Sequence, residues 1–232
     1  MKTNTNSRRD FMGKLAVGAT AGLAFVSNPL QVSSKSITPI LDGKLDQTGE
    51  KADRALKALG KKSYPIAYDM SSVNPYGIVW SNVYYMTNSE TGTSPADLGV
   101  ACICRHHGMI FALNDSVIKK YALGEFIGLN DPVSKSPAVS NPYYILKDGT
   151  FPLAGLEGIK ALSEKGCYFF VCDMARKVYA QFVAQKIGST TEEVYADFVA
   201  GTLPGVIVAP SGVWALGRLA ENKIGYIDAS VG

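Results

Sequence analysis

Residues 165–184 read KGCYFFVCDMARKVYAQFVA, and their reading decides the fold. Cys167-Tyr168-Phe169-Phe170-Val171-Cys172 is a short, apolar, aromatic-rich run between Gly166 and Asp173. That is the pattern of a strand buried on both faces. Asp173 is of a type common at helix N-caps, and Met174, Val178, Phe182 and Val183 then recur at helical spacing. The stretch therefore predicts a strand that ends at Cys172 and turns at once into a helix. In an open α/β sheet the carboxyl ends of the strands are where ligands bind. A thiol at a helix N-terminus meets the positive end of the helix dipole, which favours the nucleophilic thiolate. The competing reading is a cysteine that only fills a strand end, since free cysteine behaves as a small hydrophobe.

The same strand-then-helix grammar repeats on either side. Residues 64–69 read as a first strand, closed by Ser71, Ser72, Asn74 and Pro75 and followed by a helix over 76–88. Residues 99–104 make a second buried strand, with Arg105-His106-His107-Gly108 as its exit turn and a helix expected over 109–123. Over 124–150 the periodicity fails, and Asn130, Pro132, Pro137, Asn141 and Pro142 punctuate a long connection. Such loops are usually functional, and this insertion is expected to be a partly mobile cover over the carboxyl edge. A helix over 153–164 leads into the Cys172 strand. Residues 189–193 hold an S/T-x-x-E capping box in two overlapping registers, opening a short helix to Ala200. A strand over 205–209, the turn Pro210-Ser211-Gly212, a helix over 213–222 and a strand over 225–228 complete the chain. Five alternations predict a three-layer α/β/α Rossmann-like domain with a five-stranded, mainly parallel sheet. No G-x-G-x-x-G follows the first strand and no Walker A sequence is present, which disfavours nucleotide cofactors.

The amino-terminal residues carry a different message. Ser7-Arg8-Arg9-Asp10-Phe11-Met12-Gly13-Lys14 resembles the twin-arginine export signature, and an apolar Gly/Ala-rich run over 15–26 follows it, too short to span a bilayer comfortably. Residues 1–27 are thus expected to be an export signal that directs the chain to the periplasm, with no stable membrane span after processing. The formal net charge of +3 is fully accounted for by Lys2, Arg8, Arg9 and Lys14 against Asp10. The remainder is balanced and gives no reason to expect nucleic-acid binding. Residues 28–62 are expected to be a linker, within which 44–59 carries an amphipathic stripe (Leu45, Ala52, Leu56, Leu59) that fits a short helix. The domain proper is expected over 63–232.

With parallel strands, the exit turns gather at one edge. The candidate site there comprises Cys172 as the reactive group and Arg105, His106, His107, Asp173, Ser211 and Gly212 as ligand contacts, together with Asp69 and Ser71. Arg105 or a protonated histidine would help to hold a thiolate; Asp173 would oppose it unless it merely caps the helix. Adjacent histidines project differently and make a weak metal pair, so no metal or other cofactor is expected. Ser211 lacks the G-x-S-x-G setting of a hydrolase nucleophile and suits a helix cap. Cys102 and Cys104, two apart on a strand, face the same way and suit the core; their spacing is not C-x-x-C. An oxidising compartment keeps a disulfide open for these cysteines.

The run Pro204-Gly205-Val206-Ile207-Val208-Ala209-Pro210-Ser211-Gly212-Val213, followed by Gly225-Tyr226-Ile227, resembles the carboxyl-terminal half of DsrE-like proteins. Gly166 to Cys172 is similar to that family's G-V-x-x-x-x-C strand, which aligns Cys172 with its sulfur-carrying cysteine, and Arg105-His106-His107-Gly108 looks like a variant of its H-G turn. The resemblance implies a five-stranded parallel α/β sandwich, often a homo-oligomer. It also implies persulfide carriage through Cys172, with a sulfur donor and acceptor protein or small thiol as partners. The alternatives are a non-catalytic small-ligand or anion-binding module using the same edge, and an oligomeric scaffold.

Overall fold

The computed structural model describes residues 46–231. The expected export signal and the first part of the expected linker lie outside the described residues. Five strands form one sheet: β1 (Tyr64–Met70), β2 (Leu98–Cys104), β3 (Tyr168–Cys172), β4 (Ile207–Ala209) and β5 (Gly225–Asp228). Their order is β4-β3-β2-β1-β5 and every neighbouring pair is parallel. The helices in chain order are α1 (Asp46–Leu59), α2 (Tyr76–Glu90), α3 (Asp115–Lys120), α4 (Leu123–Ile127), α5 (Ile159–Glu164), α6 (Asp173–Ile187), α7 (Thr191–Ala200) and α8 (Gly212–Gly217). This is the three-layer α/β/α Rossmann-like architecture that the alternation of elements predicts.

Because side chains alternate along a strand, the sheet feeds two cores. Val100, Cys102, Cys104, Phe169 and Val171 pack with α2, α6 and α7 on one face. Ala101, Ile103, Phe170, Ile207 and Ala209 pack with α1 and α8 on the other. Cys102 and Cys104 do share a face, and both are fully buried. Helix α1 belongs to the domain and is no tether, since Ala52, Leu56 and Leu59 are wholly buried against the sheet. The domain therefore begins at α1 and not at residue 63.

Three expected helices are shortened by local chemistry. Over 109–123, a 3-10 turn (His106–Ala112) gives way to Leu113 in an extended conformation, and α3 starts afresh with Asn114 accepting from the Val117 N–H. The helix expected from 153 starts only at Ile159, past Gly155 at φ +80°. Helix α8 stops at Gly217, five residues early. The capping box reads true in one register: Thr190 caps α7 by accepting from the Glu193 N–H.

The 124–150 insertion is pinned to the helical face. Asn141 donates through Nδ2 to the carbonyls of Phe111 and Leu113, each at 2.9 Å, and its own N–H donates to Asp115 Oδ1. Leu129, Ala138 and Tyr143 are buried in the larger core. Its polar residues satisfy backbone groups that the broken 109–123 helix leaves open.

Candidate functional site

Strand register sets the site. Met70 lies opposite Cys104, Cys104 opposite Val171, and Cys172 opposite Ala209. The residues that leave β2, β3 and β4 therefore arrive at one edge together. A cavity of about 250 Å³ opens there, lined by Arg105, His106, Cys172, Ser211 and Gly212. Five of the nine expected site residues share this one cavity; Asp69, Ser71, His107 and Asp173 do not line it.

Cys172 is the N-cap of α6, where an aspartate, serine or threonine is more usual. Its sulfur accepts the Ala175 N–H at 3.2 Å, so the thiol does the work of a capping oxygen. Only 7% of the residue is exposed, and it lines the cavity. Cys102 and Cys104 are wholly buried, and Cys167 is 4% exposed and lines no part of this cavity. Burial pushes the Cys104 thiol well up, and burial together with the neighbouring Cys102 does the same for Cys167.

Arg105 is already committed. Its Nε donates to Asp69 Oδ1 at 2.7 Å and its Nη2 to Oδ2 at 2.8 Å, a two-pronged pair with a carboxylate that is 1% exposed. Tyr226 adds a third hydrogen bond to Asp69 Oδ2. Nη1 is the guanidinium nitrogen that Asp69 does not engage. The stem of Arg105 lies across Gly212, where any Cβ would overlap the Arg105 Cβ; that position accepts glycine because the arginine needs the space. Ser211 caps α8 by accepting the Trp214 N–H at 3.1 Å, as its setting suggested.

The histidines do not project apart. His106 adopts φ +50°, and this left-handed turn brings its ring onto that of His107 with centroids 4.2 Å apart. Tyr179 meets both rings edge-on, at 5.8 and 5.6 Å. His106 is exposed and its Nδ1 lies 3.3 Å from the Ser71 carbonyl. Burial, and secondarily His106, lower the pKa of His107. Among the described residues no group of three His, Cys, Asp or Glu side chains is placed to hold a metal ion.

Asp173 sits at the first helical position and turns away from the cavity. It pairs with Arg176 and Lys177 and accepts a hydrogen bond from Tyr195 Oη at 2.8 Å, all nearly or partly buried between α6 and α7. Burial works to raise its pKa, but Arg176, Tyr195 and Lys177 together outweigh that and hold the carboxyl below its ordinary value. The sequence carried the signal: Arg176 and Lys177 stand three and four residues on, on the same helix face.

The sequence did not reveal the cavity walls, which are Met174, Ala175, Val178, Tyr179 and Val213. Of the apolar residues at helical spacing, Val178 and Phe182 are exposed, while Ala175, Tyr179, Ala180 and Val183 form the buried stripe. Capping at Cys172 sets the phase of a helix that is apolar on more than one side. Comparison with protein-family models, with curated proteins and with solved structures finds no match to this chain.

Proposed function

We propose that this chain is a sulfur-transfer protein that carries sulfane sulfur as a persulfide on Cys172. The observation that carries the reading is the seat of that sulfur. It caps a 15-residue helix, takes an N–H hydrogen bond from Ala175, and faces a cavity shared with Arg105 and His106. Backbone donors at a helix start favour negative charge on a sulfur placed there.

In the uptake step the Cys172 thiolate attacks the outer sulfur of a persulfide or polysulfide donor, R–S–SH. The donor S–S bond breaks, R–S⁻ leaves with the electron pair, and Cys172–S–SH forms. In delivery, an acceptor thiolate attacks the outer sulfur and the Cys172 thiolate leaves. Neither step needs an oxidant or a metal. Arg105 and His106 line the same cavity, so charge on the donor or on the bound persulfide would meet polar side chains there.

One observation favours a second reading. Cys172 is mostly covered, and its cavity has the walls of a small-ligand site. Cys172→Ser decides between the two, because serine is itself a good N-cap and the fold should survive. Whole-protein mass spectrometry after polysulfide treatment is expected to show sulfur added to the wild type and none to Cys172→Ser. Equal uptake by both, or no uptake by a folded wild type, overturns the carrier reading in favour of the binding module.

A further inference from the structure

At the opposite end of the sheet lies a larger recess of about 440 Å³. It sits between α2 and the 155–165 segment, beside Leu98, the first residue of β2. Cys104, the last residue of that strand, marks the carboxyl edge; a seven-residue strand separates the two edges by about 20 Å. The recess is a site apart from Cys172.

Its floor and walls are apolar: Tyr85, Met86, Pro95, Leu98 and Leu162. Ser89 and Thr93, which carry hydroxyls, also line it. Glu157 and Lys165 both line the recess and pair with each other at 2.5 Å, so the charges there cancel.

The recess is held open by a strut. Asn82 is buried in α2, and its Oδ1 accepts the Glu157 N–H at 2.8 Å while its Nδ2 donates to the Glu157 carbonyl at 3.0 Å. Gly158, next in the chain, lies so close to the carbonyls of Tyr143 and Tyr144 that a Cβ would overlap them. The far wall is thus fixed by backbone hydrogen bonds at one side and close packing at the other. A volume of this size, mostly apolar and preformed, is that of a small-molecule site.

We infer that this recess binds a neutral, mainly apolar small molecule with one or two hydroxyl or carbonyl groups. The apolar walls take the body of the ligand, and Ser89 and Thr93 take its polar atoms. Neutrality follows from the Glu157–Lys165 pair: a charged ligand would face the like partner of that pair as well as the unlike one.

The test uses N-phenyl-1-naphthylamine, a neutral aromatic probe whose fluorescence rises in apolar surroundings, titrated into the full chain. Saturable binding is expected. Ser89→Trp, which fills the recess from α2, should weaken it by about tenfold or more, as should Met86→Trp on the same wall. Val213→Trp, which obstructs the Cys172 cavity, should leave it within about twofold. The anionic analogue 1-anilinonaphthalene-8-sulfonate should bind more weakly than the neutral probe. Thermal unfolding confirms that each variant is folded. Absence of saturable binding overturns the inference. So does undiminished binding to a folded Ser89→Trp or Met86→Trp, loss on Val213→Trp, or tighter binding of the sulfonate.

Discussion

Asp69 illustrates how one buried carboxylate sets the geometry of the carboxyl edge. At 1% exposure it depends on partners, and Arg105 and Tyr226 supply three hydrogen bonds. Arg105 is thereby fixed over Gly212, with its stem against the turn that leaves β4. The pair fixes a cavity wall more than it supplies free positive charge. Asp69→Asn keeps the shape but removes the charge that the guanidinium faces. Breaking one side of a buried pair costs about 3–5 kcal/mol, and the partial exposure of Arg105 puts this case at about 3 kcal/mol or below. Urea unfolding should show a lower midpoint with an unchanged slope. A variant as stable as the wild type would show that the pair is incidental to the edge.

The elements show what was legible in the chain and what was not. The β3–α6 unit could be read because a six-residue apolar run and a helical repeat meet at Cys172, and neither depends on distant residues. Arg105, His106, Ser211 and Gly212 could be placed with it because a parallel sheet collects its exit turns. Side-chain direction was harder. His106 defied the usual divergence of neighbours through a left-handed φ, and the phase of α6 was settled by a cysteine acting as its cap. Asp173, beside that cap, became the tie between α6 and α7 through Arg176, Lys177 and Tyr195. Its depressed pKa has a definite consequence for stability. A carboxyl held below its unfolded value contributes fully above about pH 4 and loses that contribution as pH falls through the folded value. Asp173→Asn should therefore be less stable than the wild type at neutral pH, by about 3 kcal/mol, since Arg176 and Lys177 lose their counter-charge. The gap should narrow on acidification below about pH 4. Paired urea titrations across that range check it, and a constant gap would mean that the carboxylate charge is not what ties the helices.

At the scale of the molecule, the sheet is covered unequally. One face carries α2 through α7 and the 124–150 insertion, whereas the other is closed by α1 and α8. Helix α8 is only six residues long, and its own Trp214 and Leu216 are only partly buried. Most of the cover over Ile103, Phe170, Ile207 and Ala209 therefore rests on α1. That is why the stripe of Leu56, Leu59 and Ala52, which the sequence offered as part of a linker, is wholly buried. A helix that merely tethered the domain would leave stability indifferent to its apolar face. Leu56→Ala instead opens a void against the sheet, and large-to-small changes at such sites cost about 2–5 kcal/mol. The expected outcome is cooperative unfolding at a lower denaturant midpoint, with the signal of α1 lost together with that of the sheet. Separate melting of α1 ahead of the sheet, or no loss of stability in Leu56→Ala, would return it to the status of a linker and leave the second face of the sheet without its main cover.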